Sequence, residues 1–113
     1  MKIVDKISVI ELKVMAQKMD GSLVKADVDI AKKLVIIDMP MHFEGEQELL
    51  EHGSKQLDLW GINLYPDNYG TDTFIVYDSM INIKVHDNNP NMTILSQEIR
   101  HQINDIIKEV VYE

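Results

Sequence analysis

Apolar residues recur along this chain with two different periods. Leu12, Met15, Ala16 and Met19 stand at helical spacing, and Ile99, Ile103, Ile106, Ile107 and Val110 form a second such stripe. Between them, Val24, Ala26, Val28 and Ile30 alternate with Lys25, Asp27 and Asp29, the period of a strand with one face on a core. Leu34-Val35-Ile36-Ile37 is apolar at every position. With the polar turn Ala31-Lys32-Lys33 between them, these two stretches predict an antiparallel hairpin whose second strand lies inside the sheet.

Punctuation residues bound the elements. Ser8-Val9-Ile10-Glu11 is a capping box, with Ile7 and Leu12 in staple positions and Gly21 as a left-handed stop, which predicts a helix over Val9–Asp20. Lys2–Asp5 reads as a first strand, and Pro40 bars further pairing after Ile37. Glu44–His52 is acidic at its start but has only Leu49 and Leu50 as large apolar residues, predicting a short, largely exposed helix. Trp60–Tyr65, Phe74–Tyr77 and Met80–Val85 read as strands, and Ser96 caps the last helix.

The resulting order, β-α-β-β-α-β-β-β-α, predicts a single α+β domain over residues 1–113 with a mainly antiparallel sheet and helices on one face. Val24, Ala26, Val28, Trp60, Ile62, Leu64, Ile81 and Ile83 would face the helices. Lys25, Asp27, Asp29, Asn63, Tyr65, Asn82 and Lys84 would share the other, polar face.

Composition narrows the function classes. The 113 residues contain no cysteine, which removes disulfides, thiolate chemistry and cysteine-held zinc. A net charge of −8, with scattered lysines and Arg100 as the only arginine, is wrong for a nucleic-acid partner. Met1-Lys2-Ile3-Val4-Asp5 breaks to charge at once, and no apolar run reaches the ~20 residues of a membrane span, so a cytoplasmic protein is expected. No cofactor and no metal set is assigned.

Two constellations carry candidate chemistry. His42 and Glu44, with Asp58, Asp78 and Ser79, make an acid–base set in which His42 is the base, Asp58 or Asp78 its orienter and Ser79 or Ser54 a nucleophile. Ser79 lacks the Gly-x-Ser-x-Gly elbow, and Gly53-Ser54-Lys55 lacks the upstream glycine of a phosphate loop. The second constellation is a binding surface of Asn63, Tyr65, Asn82 and Lys84 on the polar sheet face, joined by Ser54, Lys55 and Gln56 of the Ser54–Asp58 loop.

The run Gly53-Ser54-Lys55-Gln56-Leu57-Asp58-Leu59-Trp60-Gly61-Ile62-Asn63-Leu64-Tyr65-Pro66 resembles a family of small bacterial and archaeal proteins known only as a domain of unknown function. The resemblance extends to Leu23-Val24-Lys25-Ala26, Val28-Asp29-Ile30, His42-x-Glu44 and Asp78-Ser79-Met80-Ile81-Asn82-Ile83, and departs from the family's pattern around Asp38-Met39-Pro40. It implies a fold-sized unit and no mechanism. The residues themselves predict a non-enzymatic module binding a small molecule or a protein through the polar face and the Ser54–Asp58 loop. A small hydrolase-like enzyme with His42 as base is the alternative, and a homodimer whose sheet faces meet is a third reading.

Overall fold

A computed structural model of the chain describes residues 1–19 and 21–113. The elements are β1 (Lys2–Val4), β2 (Ile7–Ser8), α1 (Val9–Met19), β3 (Val24–Asp29), β4 (Leu34–Ile37), α2 (His42–Glu51), β5 (Leu59–Leu64), β6 (Ile75–Val76), α3 (Gln97–Val110) and β7 (Val111–Tyr112). The fold is α+β, and its five-stranded sheet, in the order β1-β4-β3-β5-β6, is antiparallel throughout. A separate parallel pair joins β2 to β7, placing Ile7 opposite Val111. This pair has no counterpart in the sequence reading, because two-residue strands leave no periodicity.

The helix signals act as expected. Ser8 Oγ accepts the Glu11 N–H at 3.1 Å while the Glu11 carboxylate accepts the Ser8 N–H at 3.4 Å. Ser96 Oγ accepts the Ile99 N–H at 3.2 Å. Asp20, the expected last residue of the first helix, lies outside the described residues. In the β3–β4 hairpin Asp29 Oδ1 accepts the Ala31 and Lys32 N–H groups, each at 2.9 Å, and Lys33 takes the left-handed conformation that completes the turn. As expected, β4 is internal, flanked by β1 and β3.

Val24, Ala26, Val28, Trp60, Ile62 and Leu64 pack with residues of α1 and α3 in the main core. The expectation of helices on one face needs one correction, because α2 covers the opposite face. Its Leu49 packs with Ile36 and Leu59, whose side chains point away from the main core, and with Met39. The buried residues of α2 are His42, Gly45, Glu46 and Leu49, a perfect helical stripe built from two ionisable groups, a glycine and one leucine. A search for apolar periodicity passes over such a stripe.

The third expected strand after α2 is also corrected. Residues Met80–Asn82 and Val85–Asp87 form two 3-10 turns, leaving Ile83 exposed rather than on the core. Part of the sheet face on which two copies were expected to meet is thus occupied by α2.

Candidate functional site

Of the polar residues singled out from the sequence, Asn82, Ser79 and His42 meet around Gly61, in an interior and not on an open surface. Asn82 is fully buried on its 3-10 turn, and its amide serves the β5 edge just where β6 stops pairing. Asn82 Oδ1 accepts the Gly61 N–H at 2.7 Å and Nδ2 donates to the Gly61 carbonyl at 2.9 Å and the Met92 carbonyl at 3.1 Å. One side chain thus replaces a missing strand residue. Asn63 Nδ2 donates to the Asp78 carbonyl at 3.1 Å, so the two amides do not form a shared recognition surface. The expected polar face is absent for a physical reason: α2 lies on it, and the side chains bond inward.

The remaining expected binding residues divide. Ser54 is buried and donates to Asp29 Oδ2 at 2.6 Å, anchoring its loop to the hairpin. Lys84 is buried, donates to the Gln56 carbonyl at 2.9 Å and lies 5.1 Å above the Trp60 ring. Burial holds its pKa below the usual lysine value, against the pull of Glu46, Asp87 and Asp58. Lys55 and Gln56 are exposed, and Tyr65 is half-buried.

The acid–base set is assembled differently from expectation. His42 begins α2, is 8% exposed, and its Nε2–H donates to the Ile62 carbonyl at 2.8 Å. Burial pushes its pKa down, the Ile62 hydrogen bond opposes this, and Lys25 adds to the lowering. A neutral ring donating from Nε2 keeps its lone pair on Nδ1, which has no hydrogen-bond partner among the described residues. A backbone carbonyl therefore orients His42, in place of Asp58 or Asp78. Asp78 instead accepts the Thr93 hydroxyl at 2.6 Å. Ser79 does come close: a Cβ added at Gly61 would lie 2.6 Å from Ser79 Oγ and 3.0 Å from His42 Cδ2. Ser79 Oγ also accepts the Ile81 N–H at 3.3 Å.

Two carboxyl groups under α2 went unrecognised in the sequence. Asp27 is fully buried on β3, and a Cβ at Gly45 would collide with its carboxyl and with Met39. The Glu46 N–H is aimed at Asp27 without closing a hydrogen bond of normal geometry, and both Asp27 carboxyl oxygens lack partners among the described residues. Burial, reinforced by Glu46, pushes the Asp27 pKa up to about 9. Burial also raises Glu46, while Lys84 and a hydrogen bond from Gln56 pull it down. The alternation of its neighbours puts Asp27 on the polar face, and on that face it lies buried against α2. Its buried partner is a glycine, the residue type that gives no hydrophobic signal.

Open space lies elsewhere. A cleft of 510 Å³ separates Phe74, Ile75 and Tyr77, on and beside β6, from Gln97, Arg100 and Asn104 on α3. Two overlapping lobes of 350 Å³ each extend it toward Tyr69 and Lys108 at one end and Asp78 and Thr93 at the other. Arg100 is fixed in this cleft. Its Nε donates to the Ile94 carbonyl at 2.7 Å and its guanidinium stacks 4.7 Å from the Tyr77 ring centre. Among the described residues it makes no ion pair, so its terminal nitrogens are left to the cleft. Burial raises the Tyr77 pKa, and Arg100 partly offsets this. The one signal for this site in the sequence was that Arg100 is the only arginine. Neither face patterning nor motif spacing marks it.

Among the described residues no group of three or more histidine, aspartate and glutamate side chains could hold a metal ion, and no helix is long and apolar enough to cross a membrane. Neither a curated protein nor a solved structure matches the chain. A family model does match, over residues 1–110, which spans the hairpin, the Gly61 interior and the Arg100 cleft alike. By that match the chain belongs to the family described as "Protein of unknown function (DUF5674)", as the Gly53–Pro66 and Asp78–Ile83 stretches suggested.

Proposed function

We propose that the chain is a non-enzymatic binding module whose ligand lies in the cleft between β6 and α3. The observation that carries this reading is Arg100, a cation held by Ile94 and Tyr77 with its terminal nitrogens unspent at the edge of a 510 Å³ opening. Ligand sites are typically clefts of about this size with few polar groups to set orientation. The groups here suit holding more than proton transfer. A guanidinium does not deprotonate, the Gln97 and Asn104 amides do not titrate, and Tyr77 is kept protonated by burial.

The test is a fragment screen against ¹⁵N-labelled protein, repeated on Asn104→Trp, which fills the cleft. Support would be fragments that shift amides of residues 71–77 and 97–104 and lose that effect in the variant. Fragments that shift only α2 and Ser79 would move the site away from the cleft.

A second reading, a hydrolase-like enzyme with His42 as base, rests on the Cδ2 edge of the His42 ring and the Ser79 hydroxyl both bordering Gly61. Labelling of Ser79 by a fluorophosphonate, lost in His42→Ala while the fold persists, would favour it over the binding module.

A further inference from the structure

We infer that the cleft receives the extended C-terminal tail of a partner protein, which adds to the β6 edge and places its terminal carboxylate on Arg100. The inference rests on the cleft being the binding site and goes further by naming what occupies it.

Strand pairing shows where the open backbone groups are. The Tyr65 N–H donates to the Phe74 carbonyl at 2.8 Å, which makes that pair a hydrogen-bonded one. Pairs alternate in an antiparallel ladder, so Leu64 and Ile75, the next pair, are non-hydrogen-bonded. The Ile75 N–H and C=O therefore point away from β5. The Gly61 groups confirm the phase: they point away from β3, to Asn82, and the Asn63 groups two residues on must point to Val76. β6 is the last strand of the sheet, so no further strand meets Ile75. Ile75 is only 8% exposed, yet it lines the cleft and both of its lobes. An unpaired edge inside a groove is the geometry by which sheets take up an extended peptide.

The edge is short, and it is closed at one end. The Tyr77 carbonyl already accepts the Ile94 N–H at 3.0 Å, and Asp78 bridges to Thr93. A strand running on past Tyr77 would meet this bridge, whereas a chain that ends there fits. Arg100 is fixed at this closed end through the Ile94 carbonyl and the Tyr77 ring. Its planar fork matches a carboxylate bidentately. A carboxylate at the stop and a peptide edge beside Ile75 are together the signature of a chain terminus lying parallel to β6.

The probe is a pool of N-acetylated pentapeptides, randomised at every position, prepared with free C-terminal acids and separately as C-terminal amides. Enriched sequences are resynthesised and titrated into ¹⁵N-labelled protein. The expected result is binding of the acids with shifts of the Ile75 and Tyr77 amides and the Arg100 Nε–H, and at least tenfold weaker binding of the amides. N-methylation of the ligand residue opposite Ile75 removes binding, and Arg100→Gln weakens the acids to the level of the amides. The two ligand modifications need no protein variant, so they decide the matter even if Arg100→Gln disturbs the fold. Equal affinity of acids and amides, or of peptides carrying only an internal aspartate, overturns the assignment of a terminus. Arg100 shifts that survive N-methylation overturn edge pairing but leave the binding module standing. Failure of peptides where fragments still occupy the cleft has the same meaning, and failure of both removes the two readings together. A concentration-dependent dimer with a protected Ile75 amide would make a second copy the occupant and overturn the partner tail.

Discussion

The Asn82 side-chain amide lies across the Gly61 peptide, accepting its N–H at 2.7 Å and donating to its carbonyl at 2.9 Å. The sheet edge that β6 leaves unpaired at this point is completed by a side chain, and the whole segment from Asp78 to Leu95 is hung on it. Asn89 repeats the device, donating to the Asn82 carbonyl at 2.7 Å and accepting the Leu95 N–H at 2.8 Å.

Truncation of Asn82 is therefore expected to unsettle the fold. Asn82→Ala leaves a buried N–H and a buried carbonyl of Gly61 unpaired and should cost about 2–4 kcal/mol. Equilibrium urea unfolding measures it. A loss below about 1 kcal/mol would show that water or a backbone shift replaces the amide readily.

Gly61 is the point where β5, Ser79 and His42 meet. In Gly61→Ala the new methyl would lie 2.6 Å from Ser79 Cβ and 3.0 Å from His42 Cδ2, so α2 or the Ser79 turn must move. The expected cost is about 1–3 kcal/mol. The His42 ring resonances should shift with it, and a variant with wild-type melting and unchanged ring shifts would contradict the packing described.

Stability should fall as pH rises through the neutral range because of Asp27. Its carboxyl ionises near 3.8 in the unfolded chain and at about 9 in the folded one. Between those values the unfolded state binds fewer protons, so rising pH favours unfolding, by at most about 1.4 kcal/mol per pH unit for one group. Asp27→Asn removes this slope and should be more stable than the wild type at pH 8. Parallel urea midpoints for the two proteins from pH 5 to pH 9 would falsify this assignment.

His42 acts in the opposite sense and in a more acidic window. Its folded pKa lies below the ordinary 6.5, so as pH falls below that value the unfolded state takes up a proton the folded state refuses. Stability contributed by neutral His42 is present above 6.5 and is lost on acidification. ¹H–¹⁵N spectra of the ring through an acid titration should show an Nε2-protonated imidazole that charges at lower pH than an ordinary histidine, and a ring that charges at or above 6.5 would undo the argument.

What could be read from the sequence was whatever repeats or caps. The Ser8 and Ser96 caps, the α1 and α3 stripes, the β3–β4 hairpin and the inward set Val24, Ala26, Val28, Trp60, Ile62 and Leu64 all follow from period and turn chemistry. The placement of α2 does not, because His42, Gly45 and Glu46 bury a helix face without apolar side chains. The turn at Met80–Asn82 is hidden in the sequence for a related reason. Met80-Ile81-Asn82-Ile83 has strand-like composition, while its shape is dictated by hydrogen bonds to Gly61 that are distant in sequence. Of the acid–base residues only Ser79 borders Gly61 together with His42, and the ring is oriented by a backbone carbonyl, which leaves no trace in a sequence. Arg100 and Ile75 became visible only when the sheet order made β6 an edge.

The parallel seam between Ile7–Ser8 and Val111–Tyr112 has a bearing on how the chain is made. A ribosome releases Ile7 and Ser8 long before it adds Val111, so the entry to α1 leaves the exit tunnel with its pairing partner still untranslated. The seam belongs to the slow, sequence-distant class of contacts and closes after the local helices and hairpins have formed. A nascent chain halted a few codons short of Val111 would therefore hold Ile7, a core residue, without the strand beside it.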